Sequence, residues 1–503
     1  MYISLDWISD YVDLTGLDVP TITNRLTLAT AEVEGTKTIR RFVKGVFVGE
    51  ITKVEKLTDK LTFCTVDCSA VNGTAVGSTA TTYTTVCGAP NVRVGLKAPF
   101  APAGTLLAGN LNVEATEMSG KPSQGILCSA AELGMSDWHE ILLECPGSVK
   151  TGTPLEELIP ETDTLIEIDN KSLTHRPDLW GHYGFAREFA AIFGRELKPL
   201  PQIDLSAYDS LPAYPLKNEA KSVEQGENCP CYGCIAFETG RGQTGGTIPS
   251  PPPPSPLSIQ RRLHALGMRS YNLLVDVTNY VNWEIAQPTH AFDAEKLGGI
   301  RVATLGGKES GVRSQESGDR SDFTTLDGQT RKLLPEDLLI WGTTQPLETA
   351  AENSAAVCRL PSAVSYRPVA LAGIMGGLET EVTESTVKIL LESANFKAAR
   401  IRRTANRLDL RTDASQRFEK SQPPSNVKVA IARILKLIGD SGADLKVLSR
   451  FTFDGDLQEE IRYIDIPAGR LEQLAGIKLP PERVTQILES LGFEVQWNPG
   501  SQT

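Results

Sequence analysis

The residue types best suited to chemistry stand close together in LLVDVTNYVNWEIAQPTHAFD, residues 273–293. Thr278 and Asn279 offer a hydroxyl and an amide, and His290 follows twelve residues after Thr278. Val275 and Val277 alternate with Asp276 and Thr278, which predicts a strand with one buried face. Pro288 biases Gln287 toward extended backbone, which would hold the loop carrying His290 open beside the end of that strand. Hydroxyl, amide and imidazole would then converge on one point, as a site for a polar substrate requires. By spacing alone, a lone histidine is more often a packed structural residue than a working one.

The elements that must position these residues belong to a long chain. Its 503 residues exceed what one core supports and predict three or four domains. A hydrophobic fraction of 40% is ordinary for a globular protein. No apolar run approaches the ~20 residues of a membrane span. The opening MYISLDWISDYVDL carries Asp6 and Asp10 and no basic region, so it does not read as a secretory signal. These features predict a soluble, cytoplasmic protein.

The net charge of −12 argues against a generally basic nucleic-acid binder but leaves room for local patches. Arg400, Arg402, Arg403, Arg407 and Arg411 crowd one segment, as either a solvated, salt-bridged helix face or a phosphate-contacting strip. The nine cysteines are scattered. Cys229, Cys231 and Cys234 form a CxCxxC group that lacks the fourth ligand a structural zinc requires, and they read as thiols at a strand entrance.

In chain order, Ser4 caps an expected amphipathic helix bearing Trp7, Ile8, Tyr11 and Val12. Residues 19–35 read as a second short helix ending near Gly35. From 39 to 150, short strands and glycine turns predict a small barrel. A helix is expected from about His182 to Phe193, closed by Gly194. Asp327-Gly328 reads as a hairpin turn. Gly373, Gly376 and Gly377 form a glycine turn without the GK[ST] of a phosphate-binding loop. Residues 343–368 read as a surface insertion, and 246–256 (GTIPSPPPPSP) as a polyproline loop. Near the C-terminus, Pro480 and Pro481 open a helix with Val484, Ile487, Leu488 and Leu491 on one face.

VDVTNYV followed by QPTHAFD resembles the editing-domain core of the bacterial-type phenylalanine–tRNA ligase (phenylalanyl-tRNA synthetase) β-subunit family. Other segments agree. Residues 86–107 and 119–140 resemble its tRNA-binding OB-fold, although Leu57-Thr58-Asp59-Lys60 stands where a His-Pro-Asn-Ala-Asp loop is usual. Residues 163–200, with His175 and Gly181 where the family usually has Asn and Ser, and 396–420 (FKAARIRRTANRLDLRTDASQRFEK), followed by Ser421 where glycine is usual, resemble two further family segments. The resemblance implies an α+β multidomain protein with an inserted OB-fold β-barrel, a mixed α/β editing domain and a small helical C-terminal domain. The implied boundaries are 1–38, packing with 151–200; 39–150 for the OB-fold; 201–400 for the B3/B4-type editing domain; and 401–503 for a partial B5-type domain.

The family's magnesium-ligating motif, catalytic-like domain and anticodon-binding module would all lie beyond Thr503, so a C-terminally truncated β subunit is expected. The implied function is support of the ATP- and Mg2+-dependent attachment of phenylalanine to tRNA(Phe) in an α2β2 complex with the α subunit. To this is added hydrolysis of mischarged Tyr-tRNA(Phe). The alternative is a non-catalytic scaffold and tRNA-binding subunit with a decayed editing pocket. By resemblance, His290 would orient the terminal adenosine or the attacking water. Thr278 and Asn279 would contact the substrate, and Gly328 would admit it closely. Glu379 or Glu352 would receive the tyrosyl hydroxyl. Arg93, Lys97 and Lys121 would face tRNA, and no metal ligand is assigned within the chain.

Overall fold

The computed structural model describes residues 1–69, 82–240, 254–306, 321–343, 366–383, 386–457 and 461–497. The polyproline loop lies mostly outside them, and the 343–368 insertion almost wholly so.

The chain starts with a strand, Tyr2–Ser4, which pairs antiparallel with Thr162–Ile168; that strand in turn pairs with Val33–Arg40. The N-terminal segment and the segment after the barrel therefore share one small sheet. Ser4 caps a helix of one turn, Leu5–Ile8, by accepting from the Trp7 amide. Tyr11 and Val12 are buried, but past the end of that helix. The second helix, Val19–Ala29, stops well before Gly35, because Val33–Arg40 is taken up as an edge of the sheet. Helix His182–Phe193 ends on Gly194 at φ +62°, a left-handed turn that glycine adopts without strain.

Between these pieces lies a nearly closed barrel of five antiparallel strands. Their spatial order is Gly125–Leu127, Lys97–Pro102, Phe47–Lys56, Thr62–Asp67 and Thr82–Cys87. The two ends of this sheet approach each other. The Gln124 amide donates to the Thr84 carbonyl at 2.8 Å, and the Thr85 hydroxyl to the Gly125 carbonyl at 2.7 Å. Glycine is required at 125, where a Cβ would sit 2.4 Å from the Ala101 carbonyl and 2.5 Å from the Phe100 ring.

The largest unit is built on two sheets. One has the order Thr289–Asp293, Lys388–Asn395, Cys231–Gly240, with Asp444–Val447 and Thr452–Gly455 both pairing along the last of these. The second runs Leu216–Asn218, Ile300–Thr304, Leu338–Thr343, Tyr366–Leu371, Met375–Gly376. Strand alternation splits the first sheet's side chains between two cores. Ile235, Phe237, Ile389 and Leu391 pack with Val277, Val281, Ile431 and Leu435 from helices Leu273–Ile285 and Asn426–Asp440. Tyr232, Cys234, Leu390 and Phe292 point the other way, toward Ile300, Leu339 and Val369 of the second sheet. The first sheet is thus sandwiched between helices and a second sheet. Glu284, fully buried on the helix side, is held by Arg433 at 2.8 Å and by the Tyr11 hydroxyl, which ties the N-terminal segment to this unit.

Leu273–Ile285 corrects the expected strand. Val275–Thr278 alternates for only four residues, whereas most of the buried positions, 273, 274, 276, 277, 280, 281, 284 and 285, with Asn282 beside them, follow helical spacing across the whole segment. Asn272 starts the helix by accepting from the Val275 amide at 3.0 Å, and Ala286 ends it at φ +60°. Asn272→Ala is therefore expected to cost ~1 kcal/mol of stability, read as a lower unfolding midpoint in urea. An unchanged midpoint would show that tertiary packing alone holds this end.

The C-terminal segment carries helices Ala468–Ala475 and Pro481–Ser490, the latter followed by Gly492 at φ +95°. Cys229, Cys231 and Cys234 are buried at the start of strand Cys231–Gly240, and burial pushes the Cys231 thiol up to about 12.

Candidate functional site

His290 enters the site through the pairing of strand Thr289–Asp293 with Lys388–Asn395. The register sets it directly opposite Glu392. Direct cross-strand partners project to the same side, so both side chains leave the helix-facing side to Thr289, Ala291, Leu391 and Ser393. The imidazole meets the Phe292 ring edge-on at 4.5 Å. Its other neighbour is the glycine turn, where a Cβ on Gly376 would lie 2.5 Å from His290 Cε1 and 2.6 Å from Nε2. The ring occupies the space that any other residue at 376 would claim. Gly376→Ala is accordingly expected to force the imidazole aside. Overpacking of this kind costs ~1–3 kcal/mol, and the resulting displacement of His290 should read as a shifted imidazole resonance in NMR. An unmoved resonance would mean that the turn gives way instead.

The second glycine turn is joined to the first. The Leu326 amide donates to the Gly376 carbonyl at 3.0 Å, and Thr325 bridges to Gly377. Gly328 stands at the tip of the hairpin formed by Asp322–Thr324 and Thr330–Lys332, at φ +74°, with its amide on the Thr325 carbonyl. A Cβ there would meet nothing within 4 Å, so glycine serves backbone conformation at this position and leaves open space beside it. Arg331 steadies the hairpin through Asp327 at 2.6 Å.

Glu392 was not singled out by the sequence. It is 5% exposed, and its carboxylate accepts from the Tyr232 hydroxyl at 2.9 Å. Burial raises its pKa to about 8, and the Tyr232 hydrogen bond offsets this only in part. Burial acts on His290 in the opposite sense and lowers it to about 4. Near pH 7 the pair is therefore a neutral acid facing a neutral imidazole, two groups whose surroundings push their titrations apart. Nε2 of His290 is buried without a hydrogen-bond partner among the described residues. The signal available beforehand was a single acid between Leu391 and Ser393 in KILLESAN, a strand of which seven of eight residues are buried.

The other expected residues are placed differently. Thr278 and Asn279 lie half-buried on helix Leu273–Ile285, which packs against the sheet face opposite to that of His290. The Thr278 hydroxyl donates to the Val275 carbonyl of its own helix at 2.8 Å. Neither residue is hydrogen-bonded to His290, so the expected convergence is not observed. Glu379 sits on the turn Leu378–Thr380 with its side chain 72% exposed and paired with Arg367. Glu352 lies outside the described residues.

On the near-barrel, Arg93 forms a two-pronged pair with Glu144 at 2.8 and 2.7 Å. Lys97 donates to the carbonyls of Gly147 and Val149. Lys121 reaches Glu55 at 3.0 Å and lies over the Phe63 ring. All three cations already have internal partners. Within the arginine-rich segment, Arg407 pairs with Asp337 and Arg411 with Glu419, while Arg402 and Arg403 are exposed on helix Ala398–Arg407. Among the described residues, no group of three or more His, Cys, Asp or Glu side chains is placed to hold a metal ion. No helix among them is long and apolar enough to cross a membrane.

Two family profiles match the chain, one described as "B3/4 domain" over residues 245–442 and one as "Putative tRNA binding domain" over residues 46–154. Among curated proteins, the phenylalanine–tRNA ligase β subunit of Solibacter usitatus is 35% identical over 501 residues, covering 98% of this chain and 55% of that protein. The β subunit of Gloeobacter violaceus is 35% identical over 503 residues (99% and 56%), and that of Bacillus subtilis 32% over 510 (98% and 55%). The chain thus spans about half the length of these relatives. Among solved structures, an N-terminal fragment of the phenylalanyl-tRNA synthetase β-subunit from Pyrococcus horikoshii aligns with 67% of this chain and 80% of its own, at 14% identity and a TM-score of 0.29, too low to bear on the fold.

Proposed function

Because this chain belongs to the phenylalanine–tRNA ligase β-subunit family, we propose that it hydrolyses mischarged Tyr-tRNA(Phe) at the site around His290. In this reading it does so as part of an assembly with an α subunit, which attaches phenylalanine to tRNA(Phe) at the expense of ATP and with Mg2+. An α2β2 stoichiometry and a cytoplasmic location complete the reading. The observation that carries it is the juxtaposition of His290 with the buried Glu392–Tyr232 pair, beside two linked glycine turns.

The chemistry follows from the two neutral groups. A pocket that is only apolar discriminates weakly against an added hydroxyl, whereas a pocket with a buried hydrogen-bonding group leaves that group unpaired when phenylalanine enters. Glu392, kept protonated by burial, can both donate to and accept from a phenol, and it replaces the exposed Glu379 as reader of the tyrosyl hydroxyl. His290 is neutral near pH 7 and can accept a proton from water, or orient the terminal adenosine, without first losing one. Gly328 is a further substrate contact in this reading, whereas Thr278 and Asn279, on the opposite face of the sheet, drop out of it; the near-barrel with Arg93, Lys97 and Lys121 is its tRNA-binding part.

The test is deacylation of Tyr-tRNA(Phe) against Phe-tRNA(Phe) by this chain together with the α subunit. Selective loss of the tyrosyl ester supports proofreading. No selective loss, in a complex shown to bind tRNA, leaves the chain as a non-catalytic scaffold.

A further inference from the structure

A cavity whose lining does not include His290 lies where the near-barrel meets the start of the two-sheet unit. It is a cleft of about 400 Å³ lined by residues from 93 to 144 on one side and from 254 to 276 on the other, with Thr383 at its edge. That is the size range of small-molecule sites. One wall is a stack: the Arg269 guanidinium lies 4.5 Å from the Trp138 ring and 5.2 Å from the Tyr271 ring. Both rings are accessible, Trp138 at 38% and Tyr271 at 65%. The lining also includes His264, 7% exposed, whose Nδ1 is buried without a hydrogen-bond partner among the described residues. Leu142 and Leu274 add apolar surface.

The charges around the cleft are already matched. Arg93 is engaged by Glu144, and Arg269 has Glu140 at 4.0 Å. Asp276 accepts from the hydroxyls of Ser255 and Ser270 and from the Tyr271 amide. Among the described residues lining the cleft, the two arginines each have an acidic partner, so an uncharged ligand is favoured. Exposed aromatic faces beside an arginine stack well on planar heterocycles, and a buried imidazole nitrogen can read a ring's polar edge.

We propose that this cleft binds a nucleobase, stacked against Trp138 and Tyr271 with its polar edge toward His264. The base comes either from a free nucleoside or from an unpaired position in RNA. This inference stands apart from the hydrolytic reading, since none of these residues belongs to the His290 site.

The test uses the whole 503-residue chain. Equilibrium dialysis with labelled adenosine forms one arm, and anisotropy of a labelled single-stranded oligoribonucleotide forms the other. Saturable binding in at least one arm is expected, weakened about ten-fold by Tyr271→Ala and by Trp138→Ala, the size of one lost stacking contact. Adenosine binding identifies a free nucleoside as sufficient, and binding of the oligonucleotide alone identifies an RNA base. Absence of saturable binding in both arms overturns the proposal. So does binding that both variants retain in full while their circular dichroism matches wild type. Tyr271 is mostly solvent-exposed, so its variant separates lost stacking from lost folding.

Discussion

His290→Ala is expected to lower the selective hydrolysis of Tyr-tRNA(Phe) by about 10²-fold or more, the usual range for removing a positioned proton acceptor. Charging of tRNA(Phe) with phenylalanine by the same assembly should be unchanged. The imidazole is held against Gly376 and Phe292, so alanine removes the reacting group and leaves the strand pairing intact. The pH dependence gives a second readout. With its pKa lowered to about 4, the imidazole stays neutral from pH 8 down to near 5, and the enzyme-dependent rate should show no step near pH 6.5. A step at 6.5 would mean that His290 titrates as an exposed histidine and that the buried site described above is wrong. An alanine variant that still clears the tyrosyl ester selectively would remove His290 from the reaction.

Glu392→Gln is expected to stabilise the protein at alkaline pH while impairing discrimination. The sign follows from the raised pKa. Below the unfolded-state value, near 4.3, folded and unfolded chains are both protonated, and this group adds no pH dependence. As pH rises toward about 8, the unfolded chain ionises while folded Glu392 does not, so stability falls across that window. Glutamine is neutral throughout and can still accept from Tyr232. The variant should therefore match wild type near pH 4 and exceed it at pH 8 by roughly 4–5 kcal/mol. Urea midpoints of both proteins at several pH values measure this directly. Parallel curves would show that Glu392 is ionised in the fold and does not carry a protonated hydroxyl-reading group. Tyr-over-Phe selectivity should fall in the same variant, because an amide at 392 presents a different donor and acceptor pattern to a phenol.

The features readable from the residues alone were mostly local. Ser4 opens one helix through its side chain and Gly194 closes another through its backbone, and the Asp327-Gly328 turn needs only left-handed backbone at glycine. The ordered words around His290 were enough to identify the family, whereas the contact of His290 with Gly376 is visible only in the structure. Long-range packing settled everything that depends on which face a residue presents. Val275–Thr278 reads as a strand over four residues, and the burial of Val281, Glu284 and Ile285 makes it a helix. That helix carries Thr278 and Asn279 to the far side of the sheet from His290. Glu379 and Glu392 are both acids near glycine-rich or apolar words. Strand register buries one of them opposite the histidine, while Arg367 holds the other at the surface. Likewise, Arg93, Lys97 and Lys121 read as free cations until the barrel closes and supplies each with an internal acceptor. Turns and caps are satisfied within a few residues of chain, whereas burial, and with it the charge state of an acid or an imidazole, is set by segments a hundred residues apart.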